Sequence, residues 1–197
     1  MWGTLMLIAV LASPVSAQLI GLYTTADPPP PVQSTPPVQN EMILPPLTPT
    51  ALYIVAHSPG TGALQQGIVA AEFGVVGVPD TNELMITWAP NPVANIDLGS
   101  PFDGGANIAF PACQLPSANQ ALMLYSAQVV ALNPVANLTL TVGPHSVPSN
   151  PNLPFSQLVG CDGPANPVVE ATGGSITINP AIAVAQTTWS ATKQLYR

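Results

Sequence analysis

The side chains that could do acid–base chemistry are nine acids and two histidines. Two carboxylates on either side of a sugar can hydrolyse a glycosidic bond. Most of the acids lie in segments typical of turns, where aspartate is favoured by hydrogen bonds to its own backbone. Glu72 lies in an alternating segment on the face opposite Phe73, which predicts a solvated strand carboxylate. We therefore expect a protein that is not an enzyme, with a cryptic glycoside hydrolase as the less favoured alternative.

The two histidines, His57 and His145, both stand beside predicted turns. This position predicts surface loop residues rather than general bases. The sequence contains no Gly-x-Ser-x-Gly elbow, no His-Glu-x-x-His helix and no phosphate-binding glycine loop. We predict no catalytic residue and no organic cofactor.

A weak calcium site is the other chemistry that the side chains could support. Asp97, Asp103 and Asn107 fall in one region with many turn residues, and hard oxygen ligands suit Ca²⁺. Their spacing differs from that of an EF-hand, and the alternative is that they are ordinary turn residues. No other metal site is predicted.

The first 17 residues resemble a secretory signal peptide. Leu5 to Ala12 is a short apolar run, and Val15-Ser16-Ala17 offers small residues before a cleavage site at Gln18. A basic start is missing, so an uncleaved anchor is the alternative, but the run is shorter than the roughly 20 residues that a span needs. We expect a secreted or cell-surface protein with no membrane span after cleavage.

Two cysteines, Cys113 and Cys161, lie on either side of the longest strand-like run. In an exported chain they are most simply one disulfide, which stabilises the fold by roughly 4 kcal/mol in the chain-entropy model. Two buried free thiols are the alternative.

Charged residues make up 6% of the chain, against about 25% in typical soluble domains. Lys193 and Arg197 are the only lysine and arginine, so the chain has almost nothing with which to bind a nucleic-acid backbone. The low charge instead favours a protein partner or self-assembly, with carbohydrate as a further possibility.

Short β-rich runs separated by Gly, Pro and Asn turns predict an all-β sandwich of about eight or nine strands. We expect one domain over residues 18–186. It includes a proline-rich extended connection over 27–49 and a loop over 89–105. Strand-like runs carry four aromatic residues that we expect in the core: Tyr23, Tyr53, Trp88 and Tyr125.

The tail over residues 187–197 breaks the alternating pattern. Trp189, Thr192, Lys193 and Tyr196 have helical spacing, which predicts a short C-terminal helix. Trp189, Leu195 and Tyr196 either pack on the edge of the sandwich or bind a partner.

Several short motifs together resemble a group of uncharacterised secreted bacterial proteins. These motifs are Ile20-Gly-Leu-Tyr23, Val69-Ala-Ala-Glu-Phe73, Phe110-Pro-Ala-Cys113, Pro148-Ser-Asn-Pro-Asn152, Val159-Gly-Cys-Asp162, Gly173-Gly174 and a tail of the form TTW-x-x-x-K-x-LYR. The resemblance implies a cohesin-like or immunoglobulin-like β-sandwich and a secreted location. It implies no activity, because the group has none established. We expect a secreted non-catalytic protein that acts by extracellular binding or assembly.

Overall fold

The computed structural model describes residues 19–29, 39–58, 62–79, 83–161 and 166–180. The predicted signal peptide over 1–17 and the C-terminal tail over 187–197 lie outside these residues. So do Trp189, Leu195 and Tyr196.

The described chain is built from β-strands, which confirms the predicted all-β sandwich, although the strands are more numerous than expected because several are very short. In chain order they are β1 Leu19–Tyr23, β2 Gln39–Met42, β3 Thr50–His57, β4 Ile68–Val76, β5 Leu84–Pro90, β6 Ile96–Ser100, β7 Gly105–Gln114, β8 Ala121–Ala131, β9 Leu138–Gly143, β10 Gln157–Gly160, β11 Val168–Glu170, β12 Thr172–Gly173 and β13 Ser175–Ile178. One 3-10 turn covers Gly62–Leu64. Within the described residues, no helix has the length and apolar character that crossing a membrane requires.

The strands form two sheets. The small sheet has five strands in the order β12-β1-β3-β8-β5. The large sheet has eight strands, six of them in the order β11-β10-β4-β9-β13-β2, with β7 paired to β4 and β6 paired to β7. The short strands β12 and β2 pair in parallel with β1 and β13, and the longer strands pair antiparallel.

The core lies between the sheets and is centred on Tyr125 of β8. Its side chain is fully buried, and its ring meets those of Phe73 and Trp88 edge-on, at centroid distances of 5.9 and 5.6 Å. Phe73 belongs to the large sheet and Trp88 to the small one, so this aromatic cluster joins the two layers. Edge-to-face contacts of this kind stabilise by about 1 kcal/mol beyond the burial of area.

Two predicted connections contain strands. The proline-rich connection includes β2, whose backbone pairs with β13 and whose Met42 is buried. The predicted loop over 89–105 includes β6, which pairs with β7. Both strands lie at the margin of a sheet, where the pairing partner supplies hydrogen bonds that local propensity does not indicate. The partner β13 is distant from β2 in sequence, whereas β7 directly follows β6.

The alternation predicted for β4 is correct from Ala71 onward and shifted before it. With Phe73 facing the core and Glu72 the outer face, strict alternation would direct Val69, Ala71 and Val75 inward and Ile68 outward. Ala71 and Val75 are buried, but Ile68 is buried too, and Val69 is only partly buried. The pairing of β4 with β7 shifts register between Ile68 and Ala70. A bulge of this kind reverses the faces of the residues that precede it.

Candidate binding surface

The outer face of the small sheet carries a broad uncharged surface. Alternation along β3, β5 and β8 places one set of side chains away from the core. We call this set the neutral face: Ala51, Tyr53, Met85, Thr87, Ala89, Ser126 and Gln128. None of the strands β1, β3, β5 and β8 contains Asp, Glu, Lys or Arg.

Register aligns the neutral face into rows that cross the strands. Thr87 lies opposite Gln128, which lies opposite Ala51. The next row brings Ala89 beside Ser126, and Ser126 beside Tyr53. Neighbouring strands are about 4.8 Å apart, so the rows form one continuous surface of apolar side chains and neutral hydrogen-bonding groups.

The neutral face is exposed to solvent near β5, the last strand of the small sheet. Met85 is 51% exposed, and Thr87, Ala89 and Gln128 are also exposed. Protein interfaces are depleted of charge at their centres and combine apolar contact with neutral hydrogen bonds. The neutral face therefore has the chemistry of a protein-binding surface.

The other end of the same sheet face is closed by two loops. Asp27 accepts hydrogen bonds from the Ser117 hydroxyl and from Nδ2 of Asn119 at 3.1 Å. This contact links the segment after β1 to the connection between β7 and β8. Beneath it lie Tyr23 and His57, both buried, with ring centroids 5.4 Å apart.

The prediction that His57 is a surface loop residue is therefore wrong. Its side chain is only 4% exposed, and neither ring nitrogen has a hydrogen-bond partner in the described part of the chain. Burial lowers the pKa of His57, and the nearby Asp27 carboxylate and the Asn119 backbone partly offset the shift. Burial also raises the pKa of Tyr23 to about 12. Both residues belong to the interior in their neutral forms.

Glu72 of β4 is the second buried polar residue that differs from the prediction. It points to the outer face of the large sheet as expected but is only 5% exposed. Its carboxylate accepts hydrogen bonds from the Ser149 hydroxyl, from the Ser149 N–H at 3.0 Å and from Nε2 of Gln157 at 3.2 Å. The loop after β9 thus covers the carboxylate, and Glu72 anchors that loop to the sheet.

A polar row surrounds Glu72 on the outer face of the large sheet. Glu72 lies opposite Gln157 on one side and opposite Asn107 on the other, and Gln157 lies opposite Glu170. Glu170 is exposed and lies two strands away from Glu72 in this register. Because both oxygens of the Glu72 carboxylate already accept hydrogen bonds, this row has the character of a structural anchor.

The structure separates the calcium candidates. Asp97 lies opposite Ile108 and Asn107 opposite Leu98, so alternation directs Asp97 and Asn107 to opposite faces of the sheet. Asp97 accepts a hydrogen bond from the Tyr125 hydroxyl, and Asp103 is exposed in the turn before β7. Within the described ranges, no three His, Cys, Asp or Glu side chains gather as a metal site. Calcium binding stays a prediction that a binding measurement would test.

The cysteines form the expected disulfide. Cys113 and Cys161 are bonded, with Cα atoms 5.9 Å apart. Cys113 belongs to β7 and Cys161 directly follows β10, and both strands pair with β4. The bond therefore ties together two of the three strands that pair with β4, the strand that carries Glu72.

The expected core aromatics are buried to different degrees. Tyr125 and Tyr23 are buried, whereas Tyr53 and Trp88 are half-buried. In the described part of the chain, no Trp, Tyr or Phe side chain is among the exposed ones. His145, the other histidine, is half-buried and its Nδ1 accepts a hydrogen bond from the Val147 N–H at 3.0 Å.

Comparison with known proteins finds similarity in three dimensions only. No family model matches the sequence, and no curated protein matches it. A cohesin module from a family 33 glycoside hydrolase of Clostridium perfringens aligns with a TM-score of 0.48 and 7% identity, over 84% of this chain and 99% of the module. The seventh ScaB type I cohesin of Pseudobacteroides cellulosolvens aligns with a TM-score of 0.45 and 11% identity, over 87% of this chain and 98% of that one. A cohesin–dockerin complex, Coh-OlpA-Doc918 of Clostridium thermocellum, gives a TM-score of 0.44 and 10% identity, over 82% and 97%.

Proposed function

We propose that this protein is a secreted, non-catalytic binding module whose neutral face contacts a protein partner outside the cell. The observation that carries the proposal is the absence of charge from four adjoining strands, β1, β3, β8 and β5. Most protein surface is kept soluble by charged side chains. An uncharged area with exposed Met85 and Thr87 is the composition expected of an interface centre.

The extracellular location is supported by sequence and covalent chemistry. Residues 1–17 have the pattern of a secretory signal peptide. A disulfide such as Cys113–Cys161 persists in oxidising compartments and is rare in the cytosol of most organisms. Both features fit a module that works outside the cell.

A carbohydrate ligand is the alternative occupant, and the described surface favours it less. Sugar-binding surfaces use exposed aromatic rings as stacking platforms, but the aromatic side chains within the described ranges are buried or half-buried. A protein partner requires only the neutral surface that is present. A hydrolytic role is not supported by Glu72, whose carboxylate is buried and hydrogen-bonded to Ser149 and Gln157.

Site-specific photo-crosslinking tests the proposal. A photoreactive phenylalanine analogue is placed at Thr87 or Gln128 on the neutral face and, as a matched control, at Thr139, an exposed threonine of the large sheet. The protein is incubated with envelope and medium fractions of the organism that makes it, and adducts are identified by mass spectrometry. We expect one discrete protein adduct at positions 87 and 128 and none at position 139.

A second variant set links the adduct to binding affinity. A double variant that combines Thr87→Arg and Gln128→Glu should weaken binding of the crosslinked partner at least tenfold. The control variant Thr139→Arg should leave this affinity unchanged. Equal crosslinking from both sheets would contradict the proposed face. Binding only to a polysaccharide panel, or turnover of that panel, would replace the proposal with the carbohydrate or the hydrolase alternative.

A further inference from the structure

Strand β5 forms an open edge of the small sheet. It pairs with β8 on one side and is the last strand in the order of the sheet. On the other side, β5 makes no backbone hydrogen bond within the described residues. Such an edge carries unpaired N–H and C=O groups that can pair with another chain.

Flanking hydrogen bonds show which backbone groups of β5 point outward. The Leu132 N–H donates to the Glu83 carbonyl and the Asn91 N–H donates to the Leu124 carbonyl, each at 2.8 Å. Odd-numbered residues of this segment therefore face β8. Because an antiparallel strand alternates its hydrogen-bonding direction, the N–H and C=O groups of the even-numbered residues Leu84, Ile86 and Trp88 face the open edge. Pro90 occupies the next even position. Proline lacks an N–H, but an N–H at this position would point to the open edge, so the hydrogen bonds between β5 and β8 are complete without it.

The open edge lacks the usual protection against pairing. The sequence Leu-Met-Ile-Thr-Trp-Ala-Pro has no charge, and its only proline is the last residue. The pairing of β5 with β8 runs through Leu84 to Pro90 without a register shift, so no bulge twists the edge away. Natural edge strands are commonly blocked by lysine, proline or bulges, and β5 has none of these along its first six residues.

We propose that β5 pairs antiparallel with β5 of a second copy of this chain, about a two-fold axis at Ile86. In this register Ile86 lies opposite Ile86 of the second copy, and Leu84 lies opposite Trp88 of the second copy. All three outward N–H groups and all three outward C=O groups then find partners, which gives about six hydrogen bonds across the axis. The edge is self-complementary, as a two-fold interface requires.

Charge is compatible with this register. Met85 lies opposite Thr87 of the second copy on the outer face, and both side chains are uncharged. Glu83, directly before β5, lies opposite Ala89 of the second copy, so no like charges meet across the axis. The two small sheets become one continuous sheet with two neutral faces side by side. This pairing uses the backbone of the edge and goes beyond the proposed function, because it stands whether or not the neutral face binds a partner.

Solution mass tests the pairing. The protein over residues 18–197 is measured by light scattering and sedimentation over a range of concentrations, and we expect a reversible species of twice the monomer mass. Met85→Lys with Thr87→Lys places lysines opposite each other across the axis and should raise the dissociation constant at least tenfold. Gln128→Lys, on the same face but one strand inward, should leave dimerisation unchanged. All variants must keep the wild-type circular dichroism spectrum.

A cysteine crosslink tests the register. Opposed residues in a hydrogen-bonded antiparallel pair have Cα atoms about 5.5 Å apart, which suits a disulfide. Ile86→Cys should give a covalent dimer under oxidation, whereas Thr87→Cys should not, since Thr87 faces Met85. A monomer at all concentrations, a dimer that survives the lysine pair, or equal crosslinking at positions 86 and 87 would each overturn the proposal.

Discussion

The hydroxyl of Tyr125 donates a hydrogen bond to Oδ1 of Asp97 with 2.5 Å between the two oxygens. Tyr125 belongs to β8 of the small sheet and Asp97 to β6 of the large one, so this bond joins the two layers. Burial and the Asp97 carboxylate raise the pKa of Tyr125 above its usual range. The neutral phenol therefore acts as a donor that holds strand β6 to the core.

Removing this donor should weaken the fold measurably. Tyr125→Phe keeps the ring contacts with Phe73 and Trp88 but deletes the hydroxyl, and Asp97 is exposed enough to find water instead. We expect a loss of about 1 kcal/mol in the free energy of unfolding, measured by urea denaturation. Tyr53→Phe, at a half-buried tyrosine of β3, is the matched control and should change stability by less than half as much. Equal losses in both variants would show that the Asp97 contact adds nothing.

Glu72 should be required for the order of the loop that covers it. Glu72→Gln replaces one acceptor oxygen with an NH₂ group, which cannot accept from Ser149. A hydrogen bond to a charged group contributes about 1.5–3 kcal/mol, so we expect a loss of that order in the free energy of unfolding. We also expect faster hydrogen exchange at the Ser149 amide.

Glu170 supplies the matched control for this prediction. Glu170→Gln changes the same residue type in the same row of the large sheet, but Glu170 is exposed. A surface substitution of this kind typically changes stability by less than about 0.5 kcal/mol. If the two variants exchanged equally fast at Ser149, the carboxylate of Glu72 would not be the anchor of the loop.

Asn179 should be the most sensitive residue at the end of β13. Its Oδ1 accepts from the Leu44 N–H at 2.8 Å, and its Nδ2 donates to the carbonyls of Leu44 and Val135 at 3.0 and 2.8 Å. Its φ is 47°, a left-handed conformation that asparagine tolerates better than alanine. Asn179→Ala should therefore cost about 2–4 kcal/mol, because the hydrogen bonds and the backbone preference are both lost.

A glycine variant separates the two effects at this position. Asn179→Gly removes the hydrogen bonds but accepts a positive φ without strain. It should be less destabilising than Asn179→Ala in thermal unfolding, by about 1 kcal/mol. Asn137→Gly, at an exposed residue with a φ of 54°, should be nearly neutral. If Asn179→Gly also left the stability unchanged, the side-chain hydrogen bonds to Leu44 and Val135 would contribute nothing to the free energy of unfolding.

Local sequence pattern predicted the long strands, because the core that they face sets the alternation of apolar and polar residues along them. The run from Ala121 to Leu132 predicted β8, and the structure ends that strand at Ala131. The pattern failed at β2 and β6, where hydrogen bonds from β13 and β7 define strands in sequence rich in proline or glycine. Backbone pairing leaves no periodic signal in the segment itself, whether the partner is distant, as β13 is from β2, or adjacent, as β7 is to β6.

Local sequence pattern also did not predict that polar residues on the outer faces are buried. Alternation placed Glu72 on the outer face correctly, but its burial comes from Ser149, a residue 77 positions later. His57 is covered in the same way by segments that Asp27 and Ser117 join. The neutral face could have been suspected from the missing charges of β5 and β8, but only the register shows that their outward residues form one surface.

The burial of His57 predicts a loss of stability in mild acid. Its pKa is lowered in the folded state because burial disfavours the charged ring, whereas the unfolded chain has the ordinary value of about 6.5. The unfolded state therefore binds more protons as the pH falls below about 6.5, and the free energy of unfolding decreases with it. The Asp27 carboxylate opposes this shift, so Asp27→Asn should make the decrease steeper.

Chemical denaturation at several pH values between 7.5 and about 5 measures this effect. His57→Phe keeps an aromatic ring beside Tyr23 and removes the titrating group, so its stability should be nearly constant over the same range. If His57→Phe lost stability in acid as steeply as the wild type, titration of another group would have to cause the decrease.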